Sequence, residues 1–425
     1  METRDCLRVL LAKELGFNGS ATNYATHSVH PFAAKFPPAL PRLFIDHLTL
    51  PSETVLDPMA GSGTAIVEAI TAGRTGLGLD FDPLAVKIVT AKTERFEEET
   101  GLLYAEMMAD RARMAVGNRS LFRLEDFYRR SYDEDAQDFF DYWFLEETIW
   151  ELAALIQSIQ GSCPRALRTL FEVIFSSVII AKSGGVSLAR DLAHSRPHRD
   201  ESKKVPSAID LFWERAKKII SAVSLLSSKA PAALIAVADS RSVPLKENSV
   251  DLIVTSPPYA NAIDYVRAHK FSLIWLGFSL KSLAARRRQY IGSEVGEKEA
   301  NLESPLALET IKDVRQVDLR RSQILTRYLS DMRKSLSEMY RVLKPGKAAI
   351  VVVGSSTIRG INVRTPFALA EEAKCMGFEV IDVRERAIDR NRRLMPMSRN
   401  GNGSGIEARM REEHVVGLFK PPAAT

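Results

Sequence analysis

Cysteine is scarce in this chain: Cys6, Cys163 and Cys375 are scattered and odd in number. A disulfide framework is excluded as the basis of the fold, and a reducing compartment is expected. No CxxC, HExxH or comparable ligand spacing occurs, so no metal is expected. No apolar run approaches the ~18 residues that mark a membrane span. The nearest, Val173 to Ala181, is interrupted by Ser176 and Ser177. The first residues show no secretory pattern. These absences predict a cytoplasmic protein with no membrane contact. Charge is nearly balanced, with a formal excess of +5, which permits an anionic partner without demanding one. Repeats and low-complexity segments are absent.

What the chain does have is size and a large apolar share. Its 425 residues, 45% of them hydrophobic, can bury a large core and divide into two structural parts. The most informative stretch is 251–259, Asp-Leu-Ile-Val-Thr-Ser-Pro-Pro-Tyr. Leu252 to Val254 read as a buried strand that Pro257 and Pro258 end abruptly. Open α/β sheets bind ligands at that carboxyl edge. Ser256 brings a hydroxyl there, the stiff Pro-Pro backbone offers carbonyls, and Tyr259 adds a flat face. Together they suit a planar group that bears an amino substituent. The plain alternative is a turn after a core strand, with Tyr259 as packing.

A second motif lies upstream. Val55-Leu56-Asp57-Pro58-Met59-Ala60-Gly61-Ser62-Gly63-Thr64 reads as a strand and a glycine-rich turn, and residues 65–69 open a helix. Gly61 and Gly63 allow positive φ and close approach of a ligand. Gly76 to Pro83 then form a second strand ending in Asp80, where a carboxylate can meet ribose hydroxyls.

These residues resemble the S-adenosylmethionine-dependent amino-methyltransferases of DNA, over roughly 26–95 and 234–420. The segment 27–38, His-Ser-Val-His-Pro-Phe-Ala-Ala-Lys-Phe-Pro-Pro, is similar to that family's extra N-terminal cofactor motif. Val237-Ala238-Asp239-Ser240 resembles the motif whose acid approaches the adenine, and 339–353 resembles a late helix–turn–strand. The resemblance implies a Rossmann-like α/β methyltransferase fold with a mostly helical insertion. It implies S-adenosylmethionine bound by Pro31, Phe32, Asp57, Pro58, Ala60, Gly61, Ser62, Gly63, Thr64, Asp80, Phe81 and Asp239. Ser256, Pro257, Pro258 and Tyr259 become the catalytic residues, acting on a base flipped out of duplex DNA.

Three segments follow: 1–95, the cofactor half; 96–233, a helical insertion and candidate target-recognition region; and 234–425, the catalytic half, with a second insertion near 265–325. Helices are expected over 102–116, 136–158, 164–181 and 207–226, then an apolar helix over 271–278. Residues 279–325 read as charged and less regular. Trp143, Phe144, Ile149, Trp150, Leu152 and Leu155 are read as core. Basic residues recur in three places. Arg190, His194, Arg196 and Arg199 sit in a polar stretch at 182–204; Arg267 and Lys270 follow the Ser-Pro-Pro-Tyr motif; Arg392 and Arg393 precede a glycine-rich loop that a closing strand, 414–419, should follow. Such side chains reach phosphates and base edges. If the stretches converge they form a DNA cleft; if not, they are ordinary surface.

Within the family, Ser at the first motif position resembles the cytosine-N4 group, whereas Asp or Asn is usual for adenine-N6. Cytosine N4 is the favoured target and adenine N6 the alternative, because many cytosine-N4 enzymes place Ser-Pro-Pro-Tyr before the glycine-rich motif. An RNA amino-methyltransferase, a small-molecule methyltransferase and a DNA-binding protein on a decayed fold are further readings. A cognate restriction endonuclease is a candidate partner.

Overall fold

The computed structural model describes residues 2–33, 35–181, 184–192, 197–226, 230–260, 265–293, 301–388 and 412–422. Seven strands form the main sheet: β1 (Thr54–Asp57), β2 (Thr75–Asp80), β3 (Ala233–Val237), β4 (Val250–Thr255), β5 (Leu343–Val353), β6 (Glu379–Ala387) and β7 (Glu412–Phe419). Their spatial order is β6-β7-β5-β4-β1-β2-β3. β7 runs antiparallel to β5 and β6, and the remaining neighbours pair parallel. This is a Rossmann-like α/β sheet closed at one edge by a hairpin.

Side-chain alternation explains the layers. Val55, Leu252 and Val254 face the helices Thr3–Leu11 and Ala39–Leu48, with Leu7, Leu10, Phe44 and Ile45. Leu56 and Ile253 face the opposite layer, where Leu329, Met332 and Leu369 come from helices Leu319–Val342 and Thr365–Cys375. β4 is buried along its whole length, as its apolar run requires. β1 and β4 are adjacent, yet the chain leaves β1 toward β2 and leaves β4 toward β5. The strand order therefore reverses between them, and the crevice beyond their carboxyl ends is where such a sheet binds ligands.

Between β2 and β3 the chain inserts helices Glu98–Gly117, Leu124–Ser131, Glu134–Trp143, Glu146–Ser162, Arg168–Ile179 and Ala208–Ser224. They share one core with helix Pro83–Thr93 and with Phe271 and Trp275. Trp275 is fully buried and stacks on Phe140 at 3.8 Å, and the Tyr132 hydroxyl donates to its carbonyl at 2.9 Å.

Several sequence expectations need correction. The single helix expected over 136–158 is two, because Leu145 is extended (φ −74°, ψ 150°). The break lets Phe144 and Ile149 both reach the core. The helix expected over 271–278 spans Val266–Leu273. Residues 279–325, expected to be irregular, hold helices Leu280–Arg287 and Pro305–Val317 and the start of Leu319–Val342. Side chains of Ser279, Ser304 and Asp318 cap their N-termini, which is the start signal that a charge-based reading passes over. The closing strand is as expected in β7. Among the described residues no helix is long and apolar enough to cross a membrane, and no group of His, Cys, Asp and Glu could hold a metal ion.

Candidate active site

Beyond the carboxyl ends of β1, β2, β3 and β4 lies an open cleft. Its floor is the glycine-rich turn after β1. Gly61 and Gly63 have φ of +50° and +74°. A Cβ on Gly63 would stand 2.7 Å from Val89 Cγ1, and one on Gly61 would stand 3.2 Å from the Phe32 ring. Only glycine lets the turn sit this close to helix Pro83–Thr93. Beneath it, the fully buried Lys92 donates to the Ser62 carbonyl at 2.7 Å, and burial lowers its pKa.

Acids ring the cleft. Asp57 Oδ1 accepts from the Thr255 hydroxyl at 2.6 Å and the Met59 N–H at 3.2 Å, which ties the β1 tip to the β4 tip. Burial pushes its carboxyl up to about 7. Asp80 accepts the Gly61 N–H on Oδ2 at 2.7 Å and the Asp82 N–H on Oδ1 at 2.8 Å. Each oxygen keeps a second lone pair. Burial, then the nearby Asp82, push Asp80 up to about 6. Asp82 caps helix Pro83–Thr93 and lies 2.6 Å from His269 Nδ1. Burial opposes ionisation there, but His269 and the helix-cap N–H groups leave its carboxyl below the usual value. Asp239 is held by Arg241 at 2.7–3.1 Å, and Arg241 also reaches Asp331 at 2.8 Å.

Of the expected cofactor residues, Phe32, Asp57, Pro58, Ala60, Gly61, Ser62, Thr64, Asp80, Phe81 and Asp239 line the cleft. Pro31 and Gly63 do not; the Pro31 carbonyl lies 2.7 Å from His30 Nδ1. Ser256, Pro257, Pro258 and Tyr259 line the same cleft, so the two motifs meet although about two hundred residues separate them. Lys35, from the segment 27–38, lines it too, as do Arg241, Tyr265 and Tyr290, which sequence reading missed. Tyr265 stacks on Phe32 at 5.2 Å. Phe81 is packed edge-on by Tyr290 at 5.3 Å and covered by Arg286 at 5.0 Å.

The basic residues are less uniform. Arg190 and Arg199 lie on opposite sides of a two-residue ladder, Ala189–Arg190 with His198–Arg199. Arg190 pairs with Asp200. Arg199 pairs with Glu201 at 2.9 Å and covers the Tyr142 ring at 4.8 Å. Trp143, next to Tyr142, packs on Phe271 at 4.9 Å. That contact joins the ladder's support to the helix bearing the exposed Arg267 and the half-buried Lys270, whose Nζ lies 5.1 Å from the Phe139 ring. His194, Arg196, Arg392 and Arg393 lie outside the described residues.

Strand order and cleft together define an S-adenosylmethionine-dependent methyltransferase fold with the Ser-Pro-Pro-Tyr turn at its ligand edge. Residues 15–91 and 250–399, more than half of the chain, match the DNA methylase family of N6 and N4 methyltransferases. The chain belongs to that family and is a DNA amino-methyltransferase. It is similar to the Type II methyltransferase M.MvaI of Kocuria varians, 24% identical over 84% of this chain and 83% of that protein. It is also similar to the Type II methyltransferase M.AvaI of Nostoc sp., 22% identical over 77% and 73%. A solved SAM-dependent methyltransferase from Methanosarcina mazei is 10% identical over 89% of this chain and 98% of its own, with a TM-score of 0.31.

The methyl donor is S-adenosylmethionine, and the residues present fit it. Gly61 lines the cleft with bare backbone, where a Cβ would crowd the Phe32 ring at 3.2 Å. Asp57, Asp80, Asp82 and Asp239 give the cleft an acidic lining suited to a cation. Phe32 and Phe81 add apolar faces.

Proposed function

We propose that this chain methylates the exocyclic N4 of cytosine in duplex DNA, at a base turned out of the helix. The observation that carries this reading is Ser256, a hydroxyl-bearing residue at the head of a Pro-Pro-Tyr turn in the same cleft as the glycine-rich turn. When bound, S-adenosylmethionine supplies an electrophilic methyl group. The target amine is a poor nucleophile because its lone pair is delocalised into the ring. Ser256 Oγ and the Pro257 carbonyl accept hydrogen bonds from the amino group. That favours a pyramidal nitrogen and frees the lone pair. The Tyr259 ring stacks on the base. Orientation of this kind can contribute roughly 7–11 kcal/mol, and no covalent enzyme intermediate is required.

Arg190, Arg199, Arg267 and Lys270 are proposed to meet the DNA backbone, with the helical insertion at 96–233 as target-recognition region. In each internal pair of Arg190 and Arg199 one partner is well exposed, and such surface pairs are weak enough for phosphates to displace them. The Type II designation of the relatives supports a place in a restriction–modification pair, with a cognate endonuclease as partner. Adenine N6 is the second reading, favoured by the glycine-rich motif preceding Ser-Pro-Pro-Tyr.

The test is expression in a bacterium free of its own DNA methylation, followed by mass spectrometry of the DNA nucleosides. N4-methylcytosine is expected, with its yield reduced by Ser256→Ala while cofactor affinity is kept. N6-methyladenine alone would overturn the base assignment and leave the enzyme class standing.

A further inference from the structure

Tyr259 is 6% exposed, and its hydroxyl donates to Glu413 Oε1 at 2.7 Å. Glu413 lies on the reversed strand β7. Its other oxygen accepts from Arg386 Nη1 at 2.5 Å, across the register pair Arg386↔Glu413 that joins β6 to β7. Arg386 Nε donates in turn to the Leu15 carbonyl at 3.0 Å. The Glu413 and Arg386 side chains are 15% and 3% exposed. Neither residue lines the cleft.

On the reading that Tyr259 meets the target base, we propose that Glu413 and Arg386 are positioning residues for methyl transfer, holding the Tyr259 ring in one orientation. A tyrosine side chain turns about two torsions; an anchor on the hydroxyl fixes the first, and because the phenolic O–H prefers the ring plane, a directional acceptor restrains the second. A carboxylate acceptor makes that anchor strong, because hydrogen bonds to an ionised group are shorter and tighter than neutral ones. A buried carboxylate without a counter-charge would be costly, and Arg386 supplies the counter-charge. The guanidinium is itself fixed by Leu15, so the ring is referenced to the N-terminal segment and to the sheet. The reversed strand thereby acts on the amine-binding turn without touching the substrate.

A double-mutant cycle on kcat tests this, using transfer of a labelled methyl group into unmethylated bacterial genomic DNA at saturating cofactor. Tyr259→Phe and Glu413→Ala should each lower kcat on the order of tenfold, with unchanged KM for the cofactor. Because both changes remove the same anchor, the double variant should fall no further than either single one. Glu413→Gln keeps one oxygen acceptor but turns its NH₂ toward the second donor and loses the charge, so its kcat should lie between those of Glu413→Ala and the parent. A purely structural role would lower the melting temperature and leave kcat per folded molecule alone. Losses that multiply to about a hundredfold in the double variant would overturn the proposal. Tyr259→Phe at parental kcat would also overturn it, and that arm decides the matter if Glu413→Ala does not fold. A parent protein that transfers no methyl group to DNA would overturn the DNA reading as well.

Discussion

Replacement of Asp80 by Asn probes the cleft most directly. Asp80 accepts one backbone N–H on each oxygen, from Gly61 at 2.7 Å and Asp82 at 2.8 Å. An amide has one oxygen, so Asn satisfies only one of the two and turns an NH₂ toward the other. The ribose hydroxyls of the cofactor would also lose a charged acceptor. At about 1.5–3 kcal/mol for a hydrogen bond to a charged group, losing one weakens binding by roughly 10- to 150-fold. A pH signature separates this from general damage. Burial and the nearby Asp82 push the Asp80 carboxyl up to about 6, and hydroxyl donors stabilise its ionised form, which lowers the value on binding. Affinity should therefore rise with pH, level off above about 6 to 7, and weaken by up to about tenfold per unit below that. Calorimetric titration with S-adenosylhomocysteine at pH 5, 6, 7 and 8 reads both effects. Parental affinity in Asp80→Asn, or an affinity that falls as pH rises through 6, would refute the assignment.

Two further outcomes follow from the geometry. Gly63→Ala places a Cβ 2.7 Å from Val89 Cγ1 at a φ of +74°, so left-handed strain and overpacking together should cost about 2–5 kcal/mol. Thermal unfolding should show the loss and Val89→Ala should return part of it; an unshifted transition would mean the turn is not packed on that helix. Arg190→Ala with Arg199→Ala should weaken DNA binding and flatten its salt dependence by roughly two logarithmic units of slope; an unchanged slope would make the ladder ordinary surface, whatever the affinity does.

How much of this could be read from sequence divides along one physical line. Glycine and proline act on their own backbone, so the turn at Gly61 and Gly63 and the strand end at Pro257 and Pro258 are local statements. They survive any tertiary context, and Gly61, Pro257 and Pro258 line the cleft together with Asp57 and Asp80. Ser279, Ser304 with Pro305, and Asp318 are equally local signals, and the helices they start were legible but masked by the surrounding charge. The break at Leu145 was not legible, because no Gly or Pro marks it. It exists to satisfy packing on Phe271 and Trp275, residues more than a hundred positions away.

The remaining parts of the site are set by register. Arg386 faces Glu413 because β6 and β7 pair as they do, and a slip of one residue would turn both side chains to the other face. Nothing near Tyr259 in sequence reports that its hydroxyl has a charged acceptor from the last strand. The ring alone suggests that Tyr259→Phe is mild, since stacking needs no hydroxyl. The Glu413 contact at 2.7 Å argues the opposite: the change leaves a buried carboxylate oxygen without its donor and the ring without its anchor. The same substitution thus separates a site defined by its motif from a site defined by what the fold brings against that motif.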